Sequence, residues 1–521
     1  MFKADKAPMI RAGILGILFV LQIIWFIMIA TSVIEYFSLL SMLLQLTSIF
    51  VTLYLIVKDE NPAYKVTWIA VLFIVPLFGT VLYLLIGNKR PARWIRRRIE
   101  YQEQHHMHGL AEVPDINGVL KHKDPLLAGI SHYVRQVSNM PLYPLTDVKY
   151  YPVGEAVMED LLRDLNEAKE TIFIEFFIVS HGKMFDQIFE ILIRKAQEGL
   201  DVRFLYDGFG ALTRLPENFV EQLERYGIKG VKFNPVRPFL SMVYNTRDHR
   251  KFIIVDGKIG YTGGMNLADE YINVEERFGY WKDNMIRVEG PVVWSMTNLF
   301  LNMFNADYPI DESYLSYRDE TYFEQMEAFA NDESVLENYQ GGFVQTFGDT
   351  PLDNEQIGES VYREILGQAT DYVYIYTPYL VISYEMQTAM QLAAKRGVEV
   401  ILLTPGIPDK KLVFRVTRSY YRPLLEAGVK IYEYTPGFLH AKTFVSDDVI
   451  ATVGTINLDY RSLYLHFESS TLLYYHPVIH SIREDFEQTL LLSREVTLDD
   501  IKVGVLGGLW NAILRLGAPL I

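Results

Sequence analysis

The chain has 521 residues, of which 50% are hydrophobic, 13% aromatic and none cysteine. That length exceeds one compact core, the apolar fraction excludes a disordered chain, and the lack of thiols excludes disulfides, thiolate metal sites and a cysteine nucleophile. The net charge of −15 is split: residues 1–98 carry 11 Lys/Arg against 4 Asp/Glu, whereas the remainder is acidic, which disfavours nucleic acid as a partner.

From Met9 to Val57 the only charged residues are Arg11 and Glu35. About 20 apolar residues cross a bilayer core, so the pattern predicts transmembrane helices over Met9–Thr31 and Ile34–Val57. A third apolar run, Val66–Ile86, contains Pro76 and Gly79 and predicts a kink or an incomplete crossing. The segment Asn88–Arg98 holds Lys89, Arg90, Arg93, Arg96, Arg97 and Arg98. Such a cluster predicts that the following body faces the cytoplasm beside anionic lipid. Lys3, Lys6 and Arg11 favour the same side for the N-terminus, and three full spans cannot satisfy both ends, so the number of crossings stays open. Residues 1–88 thus read as membrane segments and 89–142 as a basic collar and polar linker. His105, His106 and His108 lie in that linker without a partner carboxylate at clear metal-ligand spacing.

The body reads as a duplicated α/β unit, over 143–304 and 341–492. In each half a helical pattern (Val157–Glu170, Ile357–Ala369) leads into an apolar, aromatic and β-branched run (Thr171–Ser180, Tyr372–Val381). Helices ending near Gly199 and Gly397 then lead to strands Asp201–Asp207 and Val398–Thr404. The alternation argues for two facing α/β domains. Residues 305–340, acidic and aromatic, read as a connector or lid.

Each half carries one constellation at the same relative place. The first is His249, Lys251, Asp256 and Asn266; the second is His440, Lys442, Asp447 and Asn457. In both, Lys follows His by two residues, Asp by seven and Asn by seventeen. His-x-Lys in extended chain puts both side chains on one face. The glycines before Asn let backbone approach a phosphate, and Asn adds an amide donor. One imidazole, one ammonium and one amide, given twice, suit a phosphoryl group attacked by one ring while the other protonates the leaving oxygen. That division needs one neutral and one protonated ring and predicts a bell-shaped pH profile.

With its stretches PLFGTVLYLLIGNKR, DHRKFIIVDG, GGMN, WKDNMIRVEG, HAKTFVSDD and GTINLDYRS, the chain resembles the phospholipase D superfamily and, within it, bacterial cardiolipin synthases. The resemblance implies two pseudo-symmetric domains sharing one active site behind N-terminal membrane helices, in a bacterial cell membrane. It implies His249 as nucleophile and His440 as general acid, then base, although symmetry permits the reverse. Lys251, Lys442, Asn266 and Asn457 would hold phosphate oxygens, with Gly264 and Thr455 beside them, and Asp256 and Asp447 would support the motif. Glu468 follows His440 by 28 residues, where the family places a carboxylate that orients the imidazole; in the first half Arg277 stands there and Asp283 is the expected substitute. The implied reaction joins two phosphatidylglycerols into cardiolipin and glycerol, without metal or cofactor. The aromatic stretch Tyr372–Tyr379 would shield the intermediate from water or form a buried strand. A phospholipase D, a transferase with another alcohol acceptor and a non-catalytic lipid-binding scaffold are the competing readings. The tail 493–521, apolar with Trp510 and Arg515, reads as an amphipathic helix lying on the bilayer or packed on the body.

Overall fold

The computed structural model describes residues 38–87, 93–236, 245–308, 310 and 312–520, with a few helical residues between 16 and 27. The N-terminal part contains helices α1 (Ser38–Val57), α2 (Pro62–Ile74) and α3 (Pro76–Ile86). The expected span Met9–Thr31 lies largely outside the described residues, as do some side chains of α1. Among the described residues no helix is long and apolar enough to cross a membrane. The run Val66–Ile86 is therefore not one span. It breaks at Val75, because Pro76 lacks an N–H and starts a new helix. Helix α3 packs on α2 so closely that a Cβ on Gly79 would stand 2.7 Å from the Val71 carbonyl oxygen. Trp68, fully buried, is held edge-on between Tyr64 and Tyr83.

The stretch 99–142, expected as a polar linker, is part of the body. Helices α4 (Arg93–His106), α5 (Asn117–Lys123) and α6 (Pro125–Ser138) bury Ile95, Ile99, Leu120, Leu127 and Val134 in the main core. These few apolar residues recur at helical spacing in a polar background, so composition alone hid them.

The duplication appears as one strand order used twice. The first sheet is built from β1 (Asp147–Tyr151), β2 (Thr171–Phe176), β3 (Asp201–Asp207), β4 (Lys229–Phe233), β6 (Phe252–Val255), β7 (Ile259–Gly263) and β8 (Met285–Glu289), in the order β1-β8-β7-β6-β2-β3-β4. The second half supplies β9 (Phe343–Asp349), β10 (Tyr372–Tyr376), β11 (Glu399–Pro405), β12 (Lys430–Tyr434), β13 (Thr443–Ser446), β14 (Ile450–Gly454) and β15 (His466–Tyr474). Their order is β9-β15-β14-β13-β10-β11-β12, with β16 (Ser493–Glu495) added beyond β12. β2-β3-β4 and β10-β11-β12 are parallel and joined through helices, whereas the hairpins β6-β7 and β13-β14 are antiparallel. A short strand of the first half, β5 (Arg247–Asp248), pairs with β15 of the second. Helix α7 (Val293–Asp307), buried almost along its whole length, packs on both β6 and β9. One apolar core runs through both halves as a result.

Residues 305–340 form a strap rather than a lid. Glu312 and Tyr317 close over the buried Arg203, which also pairs with Asp201 and sits on the Phe173 ring. None of the strap's described residues lines the cavity that holds the two motifs.

Candidate active site

Both His-x-Lys motifs lie where an extended segment enters a central strand, β6 in one half and β13 in the other. The Asp of each motif ends that strand in a left-handed turn, Asp256 at φ 53° and Asp447 at φ 52°. Asp256 accepts the N–H groups of Lys169, Glu170 and Thr171 at 2.8–2.9 Å. Asp447 accepts those of Thr370, Asp371 and Tyr372 at 2.7–3.1 Å. Grouped with the catalytic motif by spacing, these carboxylates instead sit at the far end of the strand and clamp the start of the neighbouring one.

At the near end, His249 and His440 line one cavity of about 560 Å³ between the halves. Each histidine is 7% exposed. Register makes Asp283 and Glu468 equivalent: Gly263 pairs with Met285 and Gly454 with Ser470, and each carboxylate precedes that partner by two residues. Their service is crossed, however. His249 Nδ1 lies 2.9 Å from Glu468 of the second half, and His440 Nδ1 lies 2.6 Å from Asp283 of the first. The within-half pairing that the resemblance implied is thus corrected. The backbone explains it: the His249 N–H donates to Phe467 O at 2.8 Å, and the His440 N–H to Lys282 O at 2.7 Å. Each histidine is therefore stitched beside the other half's carboxylate.

Gly264 and Thr455 occupy the next equivalent position, and neither contacts substrate space as expected. A Cβ at Gly264 would fall 2.0 Å from Asp283 Oδ1, so only glycine admits that carboxylate. Thr455 spends its hydroxyl on Glu468 and accepts the Ser469 N–H. Asn266 and Asn457 do line the cavity. One Nδ2 hydrogen of each is used, by Tyr271 Oη at 2.7 Å and Ser462 Oγ at 3.1 Å, leaving the second donor.

Burial decides the charge states. It pushes His249 down to about 3 and His440 down to about 4, with Lys251 and Lys442 respectively pushing the same way against the carboxylates. Burial would raise Glu468 and Asp283, but the histidines, with Lys442 beside Asp283, hold both low. At neutral pH the carboxylates are ionised and both rings neutral. An ionised carboxylate accepts, so it draws the proton to Nδ1 and leaves Nε2 its lone pair, at His440 against Lys442 Nζ, which also lies 2.8 Å from Nδ1. The free site thus differs from the expected neutral–protonated pair. Lys251 and Lys442, both buried, are pushed down by burial to about 8 and about 7. Each donates to the carbonyl of its own histidine.

Several cavity residues escaped the sequence reading. Two residues before each carboxylate stands a ring that packs on the opposite histidine: Trp281 lies 5.5 Å from His440, and His466 lies 5.8 Å from His249. Among the described residues neither His466 ring nitrogen has a hydrogen-bond partner, and Nδ1 lies 3.6 Å from Glu468 Oε1. His249, His466 and Glu468 form the one group with metal-ligand geometry among the described residues, rather than His105, His106 and His108. Of Tyr372–Tyr379 only Tyr379 reaches the cavity; the rest is the strand β10 and its end, and the other rings lining the cavity include Phe177, Tyr271, Trp281 and Phe438. Tyr271, Trp281 and Phe438 stand beside the motifs in the sequence, whereas Phe177 follows β2. The cavity lining also carries Arg214, Arg277, Lys410 and Arg461, with Arg247 buried against Asp207. Against them stand Glu270, Asp409 and Asp459, so the opening is locally cationic in an acidic body. Ala518, just after helix α8 (Val505–Gly517), completes the wall.

Two repeats of one α/β strand order, each presenting a His-x-Lys segment to a shared cavity, define a phospholipase D-like protein. A solved phosphatidylserine synthase from Haemophilus influenzae has the same fold, with a TM-score of 0.57 at 16% identity over 75% of this chain and 98% of that one. The family model described as cardiolipin synthase, PLD-like domain, matches residues 161–303 and 362–490, and a phospholipase D-nuclease N-terminal model matches 47–88. A Geobacillus kaustophilus cardiolipin synthase is 33% identical over 86% of this chain and 87% of its own length. Cardiolipin synthase 1 of Bacillus cereus is 30% identical over 99% and 100%, and an uncharacterised Streptococcus mutans protein is 41% identical over 90% and 99%. The chain belongs to the cardiolipin synthase family of phospholipase D-like proteins.

Proposed function

We propose that the protein is a phosphatidyltransferase that makes cardiolipin and glycerol from two molecules of phosphatidylglycerol. The observation that carries the mechanism is the crossed pair of buried imidazoles, each with Nδ1 held by an ionised carboxylate and Nε2 free in one cavity. His249 Nε2 attacks the phosphorus of the first lipid. The N–P bond forms, the P–O bond to glycerol breaks, and His440 gives the leaving oxygen a proton. His440 then takes the proton of the second lipid's hydroxyl, whose oxygen attacks phosphorus as the N–P bond breaks. The acid must first be charged. A bound phosphodiester places an anion beside both rings, which raises their affinity for a proton, so substrate binding itself protonates His440. Lys251, Lys442 and the spare amide hydrogens of Asn266 and Asn457 stabilise the phosphoryl oxygens.

Two features support membrane attachment, with the catalytic body on the cytoplasmic face of a bacterial membrane. One is the basic segment that includes Arg93, Arg96, Arg97 and Arg98. The other is α8, whose Val505, Leu506, Leu509 and Ile513 are exposed while Leu516 O accepts from Thr67 of α2. Apolar residues facing outward beside the cavity wall fit an interfacial helix that brings the opening to the lipid surface.

The test uses purified protein in liposomes of phosphatidylglycerol labelled in its lipid part. The wild type is expected to release one glycerol per cardiolipin with little phosphatidic acid. His249→Ala should abolish both release and labelling of the protein, and His440→Ala should retain label on the protein. Phosphatidic acid as the main product would point to a phospholipase, and label retained on His249→Ala would reverse the two histidines.

A further inference from the structure

The proposed reaction uses two copies of one lipid, yet the cavity walls beside the two histidines differ. From Asn266 to Asp283 the chain runs 17 residues, whereas from Asn457 to Glu468 it runs 11. The longer segment crosses to the other half. The Tyr280 N–H donates to Pro436 O at 3.0 Å, and the Lys282 N–H to Phe438 O at 2.9 Å. Gly279 takes φ +71° there, and a Cβ on it would lie 2.4 Å from Pro436 O. The crossing therefore depends on glycine and fixes where the segment's side chains point.

It carries Arg277 to the cavity, where a built cluster stands. Glu270 is 3% exposed and accepts from two guanidinium groups at once: Arg214 Nη2 lies 2.7 Å from Oε1, and Arg277 Nη1 lies 3.0 Å from the same oxygen. The cluster holds two positive charges and one negative. Each guanidinium has five N–H donors, so sharing one carboxylate oxygen leaves donors to spare. Both arginine side chains retain access to solvent, and all three residues line the cavity. Tyr271, adjacent to Glu270, packs its ring 5.5 Å from His440. The cluster is therefore on the His440 side, where the second hydroxyl must surrender its proton. At the position in the second half equivalent to Glu270, four residues after Asn, stands Arg461. The two sides are thus chemically distinct.

We propose that Arg214 and Arg277, positioned by Glu270, bind the phosphodiester of the second, acceptor lipid. This rests on the two-lipid reading above. Planar guanidinium pairs fit phosphate oxygens better than any other side chain does. The acceptor differs from water and from simple alcohols in carrying that anion near its free hydroxyl. The cluster thereby selects a lipid acceptor over water and leaves the donor's phosphate to the two His-x-Lys motifs.

The experiment is a competition in phosphatidylglycerol liposomes with a neutral alcohol, n-butanol, as second acceptor. Cardiolipin, phosphatidylbutanol and phosphatidic acid are quantified for the wild type, Arg277→Gln, Arg214→Gln and Arg277→Lys. One charge-assisted hydrogen bond is worth about 1.5–3 kcal/mol, so the ratio of cardiolipin to phosphatidylbutanol should fall about tenfold or more in either Gln variant. The Lys variant should recover part of it, with phosphatidic acid rising as cardiolipin falls. An unchanged ratio in Arg277→Gln overturns the proposal. So does an equal loss of all three products in a protein with unchanged thermal midpoint, because the site would then hold the donor. A wild type that makes phosphatidylbutanol but no cardiolipin sinks the two-lipid reading itself, a distinct result.

Discussion

The two halves share a strand order, an Asp clamp and a His-x-Lys segment, and they differ in everything that touches the rings. The first half offers the second Asp283, seated against Gly264, and Trp281. The second half offers the first Glu468, seated against Thr455, and His466. A shorter carboxylate reaches its ring only because glycine lets it sit deeper, and a longer one is steered by a hydroxyl. The same imidazole orientation is thus achieved by two different side-chain pairs. The phosphate chemistry is duplicated, whereas the surroundings are specialised. This is the pattern expected where one ring starts a reaction and the other finishes it.

The sharpest way to break this comparison is to remove each carboxylate's charge while keeping its shape. Glu468→Gln and Asp283→Asn should each cost about 10²–10⁴ in turnover, because an amide can bind the wrong tautomer and take the Nε2 lone pair away from the cavity. The crossing gives a finer prediction. A phosphatidyl nitrophenyl ester needs no acid for its leaving group. With that substrate, in the His440→Ala background, Glu468→Gln should still slow labelling of the protein about 10²-fold or more. Asp283→Asn, whose ring partner is already gone, should change it by less than about tenfold. The opposite ranking would restore pairing within each half.

How much of this was legible beforehand follows from what covalent spacing encodes. A hairpin such as β6-β7 or β13-β14 has a set length, so His, Lys, Asp and Asn recur at equal intervals, and both the α/β duplication and the paired motifs can be read from the chain. Which carboxylate meets which imidazole is decided by how the halves dock, through the Phe467 and Lys282 carbonyls, and no spacing within a half carries it. His466 and Trp281 were hidden for the same reason. Residues 99–142 read as a linker because their few apolar residues, at helical intervals, are diluted by polar neighbours. Val66–Ile86 was long enough to span, but Pro76 turned it into a hairpin.

The lysines sharpen the comparison through pH. Lys442 and Lys251 are depressed by burial to about 7 and about 8, so each loses its proton as pH rises through that value. With both rings at about 3 and about 4, neither His249 nor His440 titrates near neutrality in the free enzyme. kcat/KM, which reports the free enzyme, should therefore have no acid limb down to about pH 5; it should fall about tenfold per pH unit from there, because His440 takes up a proton on binding, and more steeply above about 7–8, where the lysines lose theirs. Arginine stays charged throughout, so any activity kept by Lys442→Arg should lose the first part of that steepening. An acid limb centred near 6.5 would mean that a histidine titrates unperturbed and would overturn the burial argument.

The smallest effect on chemistry is expected where the halves are most alike. Asp256 and Asp447 each take three backbone N–H groups at the start of the neighbouring strand, from a left-handed residue that asparagine also tolerates. Asp→Asn therefore removes charge-assisted hydrogen bonds without adding backbone strain. Each substitution should lower stability by about 1–3 kcal/mol and leave the pH profile and the cardiolipin-to-phosphatidic acid ratio unchanged at a temperature where both proteins are folded. The two variants should resemble each other, and their effects should add, since each clamp serves a separate sheet. A loss of turnover in Asp256→Asn with no loss of stability would instead return this carboxylate to the reaction, and would require a path from the far end of β6 to the His249 ring that the clamp geometry does not provide.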